Sequence, residues 1–201
     1  PEYREIIIGV GAFKHSDTNI QYIGSAFSFD NTGAFNSFEY FQKDQLKQLA
    51  GSIENAVRNF TKINDKPERL IIHYYKEMSL VNEYPHIENA LNNLELEGIP
   101  VYVVTINKTE SEDYVLFDGE NKDLLPYSGR YINLGNKTYL LCNNTRYENY
   151  TFNPRDGFPF PVKLKIDCPS NPSQSIDLQV ISDLIDQVYQ FSRIYWKSVK
   201  Q

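Results

Sequence analysis

The chain has 201 residues, 41% of them hydrophobic and 23% charged, with 20 Lys+Arg against 26 Asp+Glu for a formal charge of −6. This is an ordinary globular composition, long enough for one domain or one and a half, and it excludes disorder, collagen and coiled coil. No apolar run approaches the roughly 18 residues of a membrane span. Cys142 and Cys168 are too few for a disulfide framework, and the acidic balance weighs against an indiscriminate nucleic-acid binder.

Residues 5–10 are a β-branched, nearly continuous apolar run (Ile6, Ile7, Ile8, Val10), the pattern of a strand covered on both faces. Residues 21–29 read as a second strand and 35–41 as a third of the same meander, with turn chemistry at Asp30-Asn31-Thr32-Gly33. Between 44 and 60 the period changes, and Leu46, Leu49, Ala50, Ile53, Val57 and Phe60 define one helical face. Residues 69–75 read as another buried strand. A helix near Pro85 follows, with Gly98 as its stop, and residues 101–106 are the most strand-like stretch of all. Short strands with turns at Gly119, Gly129 and Gly135 fill 114–150. Residues 162–166 form one more strand, and a long helix starts near Asp177. The order predicts an α/β domain with a mixed sheet and helices on its faces. Absence of a leader pattern speaks against secretion. The helical pattern that reaches Gln201 without a stop predicts a segment cut from a longer protein.

Few residues announce chemistry. His73 closes a buried strand, where ligands of open α/β sheets bind, but no second His or Cys stands at a metal spacing, so a structural histidine is favoured. A Gly-x-Ser-x-Gly elbow is absent, and Gly9-Val10-Gly11 is only half a dinucleotide fingerprint. A two-metal nuclease needs carboxylates at adjacent strand ends, about 4 Å from metal to metal, and the strand ends here offer Gly11, Tyr75 and Lys108. Asp30, Asp113 and Asp118 stand in turn contexts. In the last helix Ile181, Leu184, Ile185, Val188, Phe191, Tyr195 and Val199 share a stripe, and Arg193, Lys197 and Lys200 fall together on the other side. Two readings of those cations stand: a solvated helix end, or contact with phosphates.

The order of these motifs resembles the PIWI domain of prokaryotic Argonautes, across nearly the whole chain (1–201). The run Ile6-Ile7-Ile8-Gly9-Val10-Gly11 is similar to the first RNase H-like strand of that family. Residues 69–76 resemble its strand followed by His-Arg-Asp-Gly, and Asn107-Lys108 its strand ending in a guide-contacting lysine. Gly157-Phe158-Pro159-Phe160-Pro161 is similar to its Gly-Thr-x-x-Pro segment, and the final helix to the one that contacts guide phosphates. The resemblance implies an RNase H-like mixed sheet flanked by helices. In slicing members an Asp closes the first strand and a second Asp follows the His-Arg motif; here Gly11 and Tyr75 stand in those places. Neither holds Mg²⁺ as a carboxylate does. The resemblance therefore implies a catalytically inactive, short or otherwise non-slicing type: a guide-strand-dependent binding module that recognises complementary target in defence against invading DNA. It implies as partners a short guide RNA or DNA, a complementary target strand expected to be DNA, and an associated effector protein, in the cytoplasm and without a membrane. Its candidate nucleic-acid-binding residues are Lys108, Arg193, Tyr195, Lys197 and Lys200, with Tyr195 the one whose stripe favours packing. No cofactor or metal is expected in this segment, while Mg remains possible at the guide 5′ end in the full protein. Two alternatives stay open: an active RNase H-like nuclease using other acids, such as Asp30 with Glu39, and a protein-interaction scaffold.

Overall fold

The computed structural model describes residues 4–14, 21–29, 39–42, 46–143 and 158–198. The chain divides into two compact units, Pro1–Thr105 with Asp167–Gln174, and Ile106–Ile166 with Ser175–Gln201. The expected turn at Asp30–Gly33 lies outside the described residues.

The first unit carries a mixed sheet. Strands β1 (Glu5–Lys14), β2 (Gln21–Phe29) and β3 (Glu39–Gln42) form an antiparallel meander. Helix α1 (Leu46–Ile63) leads to β4 (Arg69–Tyr74), and α2 (Tyr84–Asn92) leads to β5 (Val101–Asn107). Both later strands run parallel to β1, giving the order β3-β2-β1-β4-β5. Three antiparallel strands joined to parallel strands on the first of them make an α/β, RNase H-like arrangement.

The register explains the apolar runs. Ile6 pairs with Leu70, Ile8 with Ile72 and Val10 with Tyr74, while Leu70 and Ile72 pair with Val101 and Val103. These side chains share one face and pack with Leu49, Ile53, Val57 and Phe60 of α1 and Ile87 and Leu91 of α2. Ile7, Ile71 and Val104 point the opposite way and are also buried, so neither face of β1 and β4 can carry a polar residue at mid-strand. At the start of the pair, Glu5 and Arg69 are register partners, and the Arg69 Nε–H donates to Glu5 Oε2 at 2.6 Å with both side chains about nine-tenths buried. On the β2 side, Ile8 pairs with Ser28 but Val10 with Ser25, a bulge that leaves two residues of β2 opposite Gly9.

Two local outcomes depart from the sequence reading. The first strand does not close at Gly11: its last parallel pair with β4 is Val10–Tyr74, and residues 11–14 continue against β2 alone. The second helix does not reach Gly98. Its end is closed by hydrogen bonds from Leu96 N–H to the Leu91 carbonyl and from Glu95 N–H to that of Asn92, with Glu95 at φ +55°. That is a Schellman closure with Glu in the left-handed position glycine usually fills, and Leu91 and Leu96 both bury beside it.

In the second unit α3 (Lys108–Ser111) follows β5 without a loop, because the Asn107 carboxamide oxygen accepts the Glu110 N–H and caps it. Strands β6 (Tyr131–Gly135), β7 (Thr138–Leu141) and β8 (Val162–Asp167) are antiparallel neighbours. Asn136 and Lys137, both at positive φ, turn the chain between the first two. Helix α4 (Leu178–Ser198) opens at Asp177, whose carboxylate accepts the Gln179 N–H at 2.7 Å, and Ile181, Leu184, Ile185 and Val188 are buried as the stripe requires. Gly129, at φ +90°, lies against the Tyr189 ring, where an added Cβ would come within 3.5 Å. Among the described residues no helix is long and apolar enough to cross a membrane.

Because Glu95 occupies a conformation that costs an L-residue about 1 kcal/mol, Glu95→Gly should raise unfolding stability by about that amount. The ion pair it gives up, to Lys66, is exposed on both sides and contributes little. Urea denaturation checks this; an unchanged or lower midpoint refutes it.

Candidate nucleic-acid interface

The two positions singled out on the sheet lie just beyond the last β1–β4 register pair. Gly11 is exposed and pairs with Gly24 of β2, and a Cβ built on it meets nothing within 4 Å. Tyr75 directly follows β4 and packs its ring on the core and on Tyr74, centroids 5.1 Å apart. Its hydroxyl is buried with no hydrogen-bond partner. Burial, and then the nearby Glu83 charge, raise that hydroxyl above its ordinary value of 10.0, so it stays protonated. His73, one residue before the strand ends, is held in register between Gly9 and Val104.

Sequence reasoning missed the group that organises this end of the sheet. Glu83 precedes α2 and leaves only 3% of its side chain accessible. Its Oε1 accepts the Tyr74 hydroxyl at 2.7 Å and lies 2.9 Å from the Lys76 ammonium; its Oε2 accepts the Ser79 N–H at 2.8 Å. Lys76 also lies 5.9 Å from the Tyr74 ring centroid, and its carbonyl accepts the Thr105 hydroxyl. Burial by itself would push the Glu83 carboxyl up, but the Ser79 amide, Lys76 and Tyr74 together hold it below its ordinary 4.5. The same contact, added to burial, drives the Tyr74 hydroxyl far upward. Every oxygen of this buried carboxylate is therefore committed to the loop that leaves β4. A Glu beside Tyr-Pro gave no sequence signal beyond a helix start.

Among the described residues no three His, Cys, Asp or Glu side chains converge to hold a metal ion. Gly11 offers no ligand and Tyr75 offers a hydroxyl turned into apolar packing, so this strand end does not fit a divalent cation.

The basic candidates lie in the second unit. Lys108 is the first residue of α3, whose position is fixed twice: by the Asn107 cap, and by Ser111, whose hydroxyl donates to the Asn107 carbonyl and accepts the Lys163 N–H at 2.9 Å. Lys163 reaches the Glu110 carboxylate and lies over the Tyr114 ring; the Glu110 bond raises its ammonium value above the ordinary 10.5. Arg193, Tyr195 and Lys197 belong to the last turns of α4, and Lys200 lies outside the described residues.

Comparison with known proteins agrees with this architecture. The chain is similar to the Argonaute of Marinitoga piezophila, solved in complex with 5′ OH guide RNA and target DNA, at 17% identity and a TM-score of 0.59. The alignment covers 96% of this chain and 26% of that one. It is also similar to Aa-Ago, solved with externally bound siRNA, at 9% identity and a TM-score of 0.50, over 92% of this chain and 23% of that. The fold is RNase H-like and of the PIWI type, and the chain spans about a quarter of the length of these Argonautes. No protein-family model and no curated protein matches the chain.

Glu83→Gln should cost about 2 kcal/mol near neutral pH, the consequence of neutralising a buried, triply bonded carboxylate. Since folding lowers the Glu83 value, its stabilisation is present above 4.5 and is lost as pH falls through the lower folded value. Urea melts of both proteins across pH should therefore converge on the acid side. A constant gap at all pH values would show that the carboxylate charge is not what stabilises this end.

Proposed function

We propose that this chain is the guide-strand-dependent nucleic-acid binding module of a prokaryotic Argonaute of the non-slicing kind. The observation that carries the reading is an alignment over 96% of the chain with an Argonaute solved around a guide RNA and its target DNA. In this reading a short guide RNA or DNA lies along the domain, and a complementary strand, DNA by preference, pairs with it. Sequence is read by base pairing, and the protein holds phosphates. Lys108, Arg193, Lys197 and Lys200, with Tyr195 at the edge of the set, supply those contacts. A narrow basic track of this sort is compatible with a net charge of −6, which disfavours only unspecific binding.

Two features support binding without cleavage. An exposed glycine and a tyrosine packed on the core stand at the strand ends where a two-metal site requires carboxylates. The Glu83 carboxylate nearby is already engaged by three donors. The segment accordingly works without a cofactor of its own, any Mg²⁺ at the guide 5′ end being held elsewhere in the full protein. Recognition of target then has to be signalled to an associated effector protein in the cytoplasm, as part of defence against invading DNA.

Replacing Arg193, Lys197 and Lys200 together by Ala in the full-length protein should weaken guide binding by at least about tenfold. It should also flatten the slope of log K against log salt concentration by about 2 for a single strand. Filter-binding titrations at several salt concentrations read both; an unchanged slope removes these residues from the site. Incubating full-length protein with guide, complementary target and Mg²⁺ or Mn²⁺ should give a stable ternary complex and intact target. A cut that disappears on Asp30→Asn would overturn the non-slicing reading in favour of the alternative acids.

A further inference from the structure

Strand β6 ends the sheet order, so among the described residues one of its edges has no strand partner. All five of its residues are exposed, and three of them are large and apolar: Tyr131 at 40%, Ile132 at 47% and Leu134 at 45%. Edge strands ordinarily protect themselves with Lys, Pro, inward charges or bulges. Strand β6 has no Lys, Pro or charge, and its one irregularity is a register shift between Asn133 and Gly135, which leaves Tyr131 to Asn133 regular. Tyr131 and Ile132 lie on opposite faces, so the edge is flanked by apolar groups on both sides, and Leu134 stands at the register shift. The ladder below it is regular over its first three pairs. Tyr131, Ile132 and Asn133 pair with Leu141, Leu140 and Tyr139, and the Cys142 N–H donates to the Arg130 carbonyl at 2.9 Å.

The loop adjoining this edge is acidic. From residue 112 to 130 there are five carboxylates and two cations. One of the cations, Arg130, is bound by Asp118 at 3.1 Å; the same carboxylate accepts the Glu120 N–H, which fixes the loop beside the start of β6. Such a surface repels a phosphate backbone. A second copy of the chain is also a poor occupant, since pairing over five residues falls well short of the about 1,200 Å² that a stable dimer buries.

We propose that β6 is a docking edge for an extended segment of a partner protein, which adds as a strand and alternates apolar residues with Lys or Arg. Main-chain hydrogen bonds to β6 supply affinity, and the apolar side chains of the segment, which all lie on one face, cover Ile132. The cations of the segment meet the exposed Glu120 of the loop. The proposal goes beyond the nucleic-acid reading and does not depend on it.

The test uses the full chain and a fluorescent synthetic peptide of about eight residues, a strand length, alternating Val and Lys. It is compared with a Val/Glu peptide and with a Val/Lys peptide N-methylated at alternate amides. The Val/Lys peptide should bind at least about tenfold tighter than either control and should slow hydrogen exchange of the residue 131–135 amides. Ile132→Lys, on an exposed side chain and confirmed folded by its thermal melt, should reduce that binding about tenfold. Equal binding of the N-methylated peptide would show charge attraction without strand addition, and overturn the proposal. Binding that survives Ile132→Lys would place the peptide elsewhere. Self-association by sedimentation that Ile132→Lys abolishes, without peptide binding, would assign the edge to a second copy instead. Guide binding measured in parallel tells failure here from failure of the nucleic-acid reading.

Discussion

The first unit depends on the parallel pairing of β1 and β4. Parallel strands cannot be joined by a tight turn; here the link runs through β2, β3 and α1 before the chain returns to its first strand. Such a pairing has to be specified by the side chains themselves, because no turn geometry sets its register. The repeated isoleucines do not suffice: with both faces buried, a slip of one residue would still place apolar groups on each side. The buried Glu5–Arg69 pair breaks that degeneracy, since a slipped register leaves two charges without partners in a dry environment. Arg4 adds exposed contacts to Asp65 and Glu68, which tie the same corner less strongly.

At its other end the pairing comes apart. β1 continues with β2 while the chain after Tyr74 turns away, and Glu83 gathers that departing loop by binding Tyr74, Lys76 and the Ser79 amide. The end of the parallel strands is where open α/β folds ordinarily present functional groups. In this chain Glu83, Tyr74, Lys76 and the Ser79 amide satisfy one another there, while the buried Tyr75 hydroxyl has no hydrogen-bond partner. The contrast with the second unit is informative, since α3 is placed by Asn107 and Ser111 and starts at a lysine.

Much of the fold was legible in the residues. The strand at 21–29 has the bounds its pattern suggested, β4 stops one residue short of the reading, and the stripe Ile181-Leu184-Ile185-Val188 is the buried face of α4. These are elements whose period is set by burial, and burial leaves a record in the sequence. What stayed hidden was decided by hydrogen bonding rather than by period. Nothing in Gly11-Ala12-Phe13-Lys14 marks a strand that has lost one neighbour and kept the other. Glu95 was unreadable as a helix terminator because a glutamate seldom takes a positive φ, and Gly98 nearby drew the inference instead. Glu83 was read past because carboxylates are usually solvated, and its three donors come from positions 74, 76 and 79 in a loop without periodicity. Of the candidate site, sequence supplied residue types and spacing, while the packing of Tyr75 onto Tyr74 required coordinates.

The unequal surroundings of Gly11 and Tyr75 bear on how such a chain can change over generations. A carboxylate arriving at position 11 would enter open space and displace no neighbour. One arriving at position 75 would strip a ring from the core and set a second negative charge beside Glu83. The first step is nearly free and the second is penalised until the Tyr74–Lys76–Glu83 contacts have been rebuilt. Drift is therefore directional at this strand end: an acid lost from both places would return readily to one and seldom to the other.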